Sequence, residues 1–231
     1  ILSAVMLVLA ASGYAQETGA AGAGERNEWL PTFEAVAVDA DLDVKFVRVP
    51  DTEAPKIVYD TKGSYTTKFR AEVKDKTLRI SEKPDSRRPD RTEVTVYYNA
   101  LRAVSLSGAA ATFEGTLAAA VLDVTVNRKA SLTAKLDVKD LKMEQTGYST
   151  ANLSGSVRYL SLYVSTGKVA ASDLEVMSAE VNAQSKAEVS LWITDRFVGK
   201  TTTNARISYK GDPKIVRGGA KFMGGEINRV E

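Results

Sequence analysis

The amino-acid sequence predicts an all-β fold, specifically a β-solenoid or β-helix-like stack of about six short-strand repeats with an N-terminal strand-rich capping layer. Two observations lead to this prediction. Over residues 101–211 a similar phrase recurs at a spacing of roughly 18 to 20 residues, a period typical of stacked supersecondary units. Within each phrase apolar and polar residues alternate, which is the pattern of a strand with one buried face. An up-and-down antiparallel arrangement of the same strands is the alternative.

Each phrase consists of a strand, a turn and a second strand. The turns contain residues that tolerate tight or left-handed backbone geometry, namely Gly, Asn and Ser. They fall at Gly108, Asn127, Gly147, Gly167, Ser185 and Asn204. One repeat cannot bury its apolar face alone, whereas a stack can. Coils separated by the strand spacing of a sheet would form a rod roughly 30 Å long.

The alternation also predicts which side chains point inward, and a small residue recurs just after each turn, where coils would stack closely. The predicted inward residues are Leu106, Val124, Val126, Leu132, Leu153, Leu162, Val164, Leu174, Val181, Val189, Leu191 and Ile207. The recurring small residues are Ala111, Ala130, Ala151, Ala171, Ala187 and Ala205.

The first 28 residues carry no repeat. Residues 1–15 combine an apolar run with a small pair, Gly13 and Ala15, which is typical of a secretory signal peptide. The charged start of such a peptide and an initiator Met are missing, so we expect the chain to be truncated at its N-terminus. Residues 16–28 are rich in Gly and Ala and are expected to form a flexible linker.

Residues 29–231 are expected to form one all-β domain. Residues 29–100 contain longer alternating segments and larger loops, including a hairpin around residues 74–76. This part is expected to start the solenoid and to cover its open end, because an uncovered stack exposes a sheet edge. Residues 101–211 contain the repeats, and residues 212–231 are expected to form a C-terminal cap.

The composition limits the chemistry. The sequence has no cysteine and no histidine, which excludes disulfides, thiolate chemistry and a serine–histidine–aspartate triad. The formal net charge of +2 gives no reason to expect nucleic acid as a partner. No cofactor is predicted, and no segment after residue 15 is long and apolar enough to suggest a membrane span.

Several phrases resemble one known family, the putative auto-transporter adhesin, head GIN domain family of exported Bacteroidetes proteins. The most specific phrase is the closing Tyr209-Lys-Gly-Asp-Pro213, and the turns ending at Gly108, Gly147 and Gly167 add to it. Family members commonly show Gly-Ser-Gly where this chain has residues 127–129. The resemblance covers roughly residues 29–230. It implies a solenoid-like domain in the cell envelope or on the surface, and it implies no catalytic residues.

Three carboxylates form the one candidate metal site. Asp39, Asp41 and Asp43 alternate along the chain, which would place them on one face of a strand. Oxygen ligands of this kind suit Ca²⁺. A solvent-facing strand opposite the buried Ala40 and Leu42 would give the same pattern, and the spacing does not match an EF-hand.

Candidate ligand-binding residues come from a basic loop and from aromatic side chains. Residues 83–91 contain Arg87, Arg88 and Arg91, which could contact anionic glycans or lipid headgroups. Trp192 and several tyrosines could stack on sugars. Such residues more often serve as exposed loop or packing residues. An outward polar ladder is expected from Ser105, Ser107, Thr125, Asn182, Thr201 and Thr203.

The predicted function is that of an exported, non-enzymatic interaction module, an adhesin-like protein in the periplasm or on the surface of a Gram-negative bacterium. A surface glycan or an envelope protein is the expected partner. A periplasmic structural scaffold is one alternative. A polysaccharide-active β-helix enzyme is another, but it needs clustered carboxylates in a cleft. In this chain Asp123, Glu144 and Asp173 do not recur at one position of the repeat.

Overall fold

The computed structural model describes residues 24–62, 68–84 and 90–230. The expected signal peptide and residues 16–23 of the expected linker lie outside the described residues. In the described ranges the chain is all-β and forms a β-solenoid of about six turns, as the sequence predicts. Those ranges contain no helix that is long and apolar enough to cross a membrane.

Sixteen strands join into one continuous sheet. In chain order they are β1 Glu25–Trp29, β2 Ala35–Asp39, β3 Asp43–Arg48, β4 Lys56–Asp60, β5 Phe69–Lys74, β6 Thr77–Glu82, β7 Glu93–Tyr98, β8 Ala103–Ser107, β9 Ala110–Asn127, β10 Ser131–Thr146, β11 Thr150–Ser165, β12 Lys168–Gln184, β13 Glu188–Thr202, β14 Arg206–Lys210, β15 Ile215–Phe222 and β16 Glu226–Arg229.

The five strands β9 to β13 are longer than the sequence phrases predict, at 15 to 18 residues each. Each joins the second strand of one phrase to the first strand of the next. They run parallel to one another, so the antiparallel alternative is wrong for the repeats. The ladder continues through the bend in each strand, where the register shifts by a bulge at three of the four interfaces.

These bends divide the sheet into two half-sheets. Half-sheet 1 contains β1, β4, β7, β3, the N-terminal halves of β9 to β13, β14 and β16. Half-sheet 2 contains β5, β6, β2, β8, the C-terminal halves of β9 to β13, and β15. A coil therefore has two long edges, one made by the bends and one by tight turns.

The core has the predicted composition. All twelve predicted inward residues and all six recurring alanines are buried, each with at most 5% of its surface exposed. They belong to one cluster that extends from Phe33 to Tyr209. A few polar residues are also buried, among them Gln145 and Ser149. The Gln145 side-chain amide donates to the Ser149 and Lys168 carbonyls at 2.8 and 3.1 Å.

The turn edge is built from residues with left-handed backbone geometry. Arg128 and Lys129 have φ of 52° and 63°, and the Ala130 N–H donates to the Asn127 carbonyl at 3.0 Å. Two successive residues with positive φ closed by this bond define a type I′ turn. Ser185 and Lys186 repeat the arrangement. Charged side chains thus occupy positions where Gly or Asn fits with less strain.

The bend edge depends on glycine at one close approach. Gly155 has φ of +101°, and a Cβ added there would lie 2.0 Å from the Leu136 carbonyl oxygen on the adjacent coil. Gly115 sits at the bend of β9 with φ of +76°, but a Cβ there would meet nothing within 4 Å. The two glycines therefore share a left-handed backbone, and only one also faces a neighbouring backbone.

The N-terminal end of the stack differs from the rest. β4 runs antiparallel to both β1 and β7, and β5 and β6 form the predicted hairpin. β3 pairs with β7 on one side and with β9 on the other, so strands distant in sequence are neighbours. The expected linker does not extend to residue 28, because Glu25–Trp29 is a strand paired with β4.

An aromatic cluster fills the core at this end. The Phe46 ring stacks on Phe113 with centroids 4.5 Å apart, and Tyr98 meets both rings edge-on. Burial raises the pKa of Tyr98 to about 12, and the nearby Arg48 lowers it slightly. Among the described residues the Tyr98 hydroxyl has no hydrogen-bond partner. The free-energy cost of removing this hydroxyl from water is therefore not offset by a hydrogen bond.

We expect Gly155→Ala to destabilise the protein much more than Gly115→Ala. The left-handed backbone alone should cost about 1 kcal/mol at residue 115. The added contact with the Leu136 carbonyl should raise the cost to about 3 kcal/mol or more at residue 155. Urea unfolding of both variants measures the difference. Equal losses would contradict the close approach of the two coils.

Tyr98→Phe should stabilise the protein slightly at neutral pH and flatten its loss of stability in alkali. Removing an unpaired buried hydroxyl should add up to about 1 kcal/mol to the free energy of unfolding. The folded-state pKa of Tyr98 is raised, so the wild type keeps its neutral-pH stability up to about pH 10 and loses stability as pH rises toward 12. Denaturant titrations at pH 7 and pH 11 measure both effects.

Tyr59→Phe serves as the matched control. The pKa of Tyr59 is also raised to about 12 by burial, but its hydroxyl donates to Glu28 at 2.6 Å. This variant should lose about 1 kcal/mol at pH 7. A similar loss in Tyr98→Phe would show that the Tyr98 hydroxyl has a partner in solution.

Candidate functional site

The three predicted carboxylates lie at the corner between β2 and β3. Asp39 ends β2, Asp43 begins β3, and Asp41 lies between them. All three side chains are exposed and alternate with buried residues, as on a solvent-facing surface. The chain turns at this point from half-sheet 2 to half-sheet 1, so the carboxylates do not share one straight strand.

Arginines occupy this corner. The Arg91 guanidinium pairs with Asp41 at 2.5 Å and with Asp43 at 2.8 Å, and Arg128 pairs with Asp39 at 2.9 Å. The Ser107 hydroxyl also donates to Asp39. Within the described ranges no three acidic side chains gather closely enough to hold a metal ion. The calcium site stays a prediction, and the geometry favours ion pairing.

Arg91 connects this corner to the backbone of two coils. Its guanidinium donates to the Leu42 and Gly108 carbonyls at 3.3 and 3.4 Å. It borders a surface cavity of about 510 Å³ that Arg128 and Lys129 also line. Most of its donors are thus used within the protein. The other two predicted arginines, Arg87 and Arg88, lie outside the described residues.

Trp192 lies at the bend edge and is half-buried. Its Cα pairs with those of Glu175 and Lys210 on the neighbouring coils. The Lys210 ammonium lies 5.1 Å from the centre of the indole ring. Trp192 therefore stands in a row of side chains that runs across the coils, with an acidic neighbour on one side and a basic one on the other.

The closing Tyr-Lys-Gly-Asp-Pro phrase holds this row in place. Tyr209 is buried against Phe197, with ring centroids 4.8 Å apart, and Lys210 covers the Trp192 ring. Gly211 has φ of +102°, and a Cβ there would lie 2.2 Å from the Ile193 carbonyl and 3.2 Å from the Trp192 ring. The phrase thus closes the last coil and fixes the indole.

The same row continues away from Trp192 as a polar groove. Glu175 pairs with Ser156, and Ser156 pairs with Asp137 on the next coil; the serine hydroxyl donates to that carboxylate at 3.3 Å. A groove of about 440 Å³ opens here, bordered also by Lys139 and Arg158. Acceptors, donors and an aromatic ring follow one another at the strand spacing of roughly 4.8 Å.

The predicted outward ladder is correct only in part. Ser105 pairs with Thr125 on the outer face of half-sheet 2, and Asn182 continues the same row. Thr201 is fully buried and Thr203 lies in a turn, so both predictions are wrong. The buried Phe197 sets the alternation of β13 and directs Thr201 inward.

Half-sheet 1 carries a polar row that sequence reasoning missed. One residue per coil contributes to it, and its members are small. They are Thr112, Thr133, Asn152, Ala170, Ser190, Ser208 and Asn228. The available signal was a small polar residue four positions after the last residue of most turns, as in Thr133 after Lys129, Ser190 after Lys186 and Ser208 after Asn204.

An aromatic row lies on the same face at the N-terminal end. Trp29, Lys56 and Tyr97 occupy paired positions on β1, β4 and β7. Trp29 is 66% exposed. Tyr98 is buried, and the adjacent Tyr97 points to the opposite, outer face of β7. Sequence reasoning placed Trp29 at the start of the domain and assigned it no role.

Comparison with solved structures finds the same fold. A putative adhesin from Bacteroides fragilis has 18% identity and a TM-score of 0.81, covering 89% of this chain and 96% of its own. A putative lipid binding protein from Parabacteroides distasonis has 17% identity and a TM-score of 0.66, covering 90% and 98%. A putative adhesin from Parabacteroides merdae has 18% identity and a TM-score of 0.67, covering 90% and 95%.

Comparison with curated proteins finds no match. The family model described as putative auto-transporter adhesin, head GIN domain, matches residues 32–213. This range begins just before β2 and ends with the Tyr-Lys-Gly-Asp-Pro phrase, so it contains the whole repeat region. The chain therefore belongs to the putative auto-transporter adhesin, head GIN domain family.

Proposed function

We propose that the protein is an exported, non-enzymatic binding module of the bacterial cell envelope, with the adhesin-like role that its family name describes. The observation that supports this proposal most directly is that outward side chains form rows across the coils. In-register parallel strands hold outward side chains at a fixed spacing across the coils, so a surface ligand with repeated units can meet several of them at once.

The bend edge offers one contact surface of this kind. Trp192 presents a ring that Lys210 covers on one side, and Glu175 and Ser156 follow it across two further coils. A fixed aromatic ring loses little conformational entropy on binding. Of the two predicted ligand-binding residues that the structure describes, Trp192 is the better candidate for a ligand contact, because Arg91 is engaged in ion pairs.

Two observations support export. Residues 1–15 have the composition of a signal peptide. The similar solved structures from Bacteroides and Parabacteroides include proteins named as putative adhesins. Both agree with a protein that acts outside the cytoplasm, in the periplasm or on the surface.

Protease treatment of intact cells tests the location. We expect a tagged copy of the protein to lose its tag while a periplasmic control protein survives. A strain that lacks the gene should then adhere less to glycan-coated or protein-coated surfaces, and a plasmid copy should restore adhesion.

Survival of both proteins until the outer membrane is opened would overturn the adhesin role. The periplasmic scaffold would then be the better description, and cross-linking in intact cells would identify its partners. Full adhesion by the deletion strain despite surface exposure would also contradict the proposal.

A further inference from the structure

The aromatic row at the N-terminal end has the geometry of a ligand site. The Lys56 ammonium lies 5.5 Å from the centre of the Trp29 ring and 4.6 Å from that of Tyr97. The three residues are on adjacent strands, so the backbones of Trp29 and Tyr97 are about 9.6 Å apart across the face, twice the strand spacing. Trp29 is the most exposed tryptophan that the described ranges contain.

Lys56 differs from other lysines at this end of the solenoid. Lys45 pairs with Glu114, Lys62 with Asp60 and Glu93, and Lys76 with Glu34. In the part of the chain that the structure describes, Lys56 has only the two aromatic faces as partners. Its charge is therefore available to an anion from outside.

The neighbouring carboxylates do not cancel this charge. An acidic row formed by Glu25, Asp60 and Glu93 crosses the same face. Asp60 is four residues from Lys56 along β4, about 13 Å at the rise of a strand. That distance exceeds the screening length of about 8 Å at physiological ionic strength. Lys62 also neutralises part of this row.

Two flat apolar faces with an unpaired cation between them select a particular ligand chemistry. Sugar rings present C–H faces that stack on indole and phenol rings, and a ring carboxylate accepts from an ammonium group. We propose that Trp29, Lys56 and Tyr97 bind a saccharide that carries carboxylates, such as a uronic acid polymer. The proposal gives a ligand class to the binding role proposed above and rests on it.

A neutral sugar fits the site less well. A neutral sugar that stacks on the rings would weaken the contact between the Lys56 ammonium and those rings. It would give the ammonium no anionic partner in return. A uronate replaces that contact with a charge-assisted hydrogen bond, which is stronger. Several copies of the protein on one cell could also bind the same polymer at once, which would raise the overall affinity.

Titration with a matched pair of oligosaccharides tests the proposal. The probes are oligogalacturonate and the same oligomer with its carboxylates methyl-esterified, each added to the full chain and followed by calorimetry and tryptophan fluorescence. We expect the acid to bind at least tenfold more tightly than the ester and to change the fluorescence of Trp29. Oligomers of glucuronate and mannuronate extend the test to other uronates.

Three variants locate the site. Trp29→Ala should abolish the fluorescence change and weaken binding about tenfold. Because the Trp29 ring is exposed, this variant should stay folded, which circular dichroism checks. Lys56→Met keeps the apolar stem over the rings but should remove the preference for the acid over the ester. Lys76→Met, at the β5–β6 hairpin of half-sheet 2 and paired with Glu34, should bind like the wild type.

Each outcome has a clear meaning. If none of the uronates binds, if the ester binds as well as the acid, or if Lys76→Met loses as much affinity as Lys56→Met, the proposal is wrong. If the protein is exposed on the cell and promotes adhesion without binding uronates, the proposed function is supported and the proposed ligand is wrong. If uronates bind at Trp29 but the protein is confined to the periplasm, the ligand is supported and the adhesin role is wrong.

Discussion

The solenoid depends on the contact between one coil and the next through the backbone. Parallel strands pair residue by residue through most of each coil, so each chain segment has the backbone of its neighbour within hydrogen-bonding distance. At the corners this leaves room only for small residues, which explains the buried Ala130, Ala187 and Ala205. It also requires glycine where Gly155 approaches Leu136. This pairing also sets the spacing between neighbouring side chains in the aromatic and polar rows on the surface.

The turn edge shows a compromise between local and global preferences. Left-handed geometry disfavours Arg128, Lys129 and Lys186, yet the stack imposes it on all three. Backbone hydrogen bonds between turns, such as Lys129 N–H to the Gly147 carbonyl at 2.9 Å, offset part of this cost. Basic side chains are consequently displayed on this edge of the solenoid.

Local patterns in the sequence predict the inward residues well, because alternation in a strand is a property of adjacent residues. Leu162 and Val164 could be assigned to the core without knowledge of their partners. Pairing between distant segments could not be predicted in the same way. The insertion of β3 between β7 and β9, and the ion pairs of Arg91 with Asp41 and Asp43, join segments about 50 or more residues apart. Thr201 was misplaced because the two residues that follow it are also threonines and hide the alternation.

The reversed strands at the N-terminal end give the rod two unlike ends. Both half-sheets finish there in antiparallel strands, β1 and β5, whereas β15 and β16 at the opposite end run parallel to their neighbours. A repetitive core of this kind could elongate into a fibre if a second copy continued the coil. In half-sheet 2 such a copy would meet β5, which runs against the direction of the stack. In half-sheet 1 it would meet β1, which runs with the stack but carries charged side chains that disfavour edge-to-edge pairing. The reversed β5 and the charges of β1 thus disfavour elongation and leave the sides of the solenoid open to ligands.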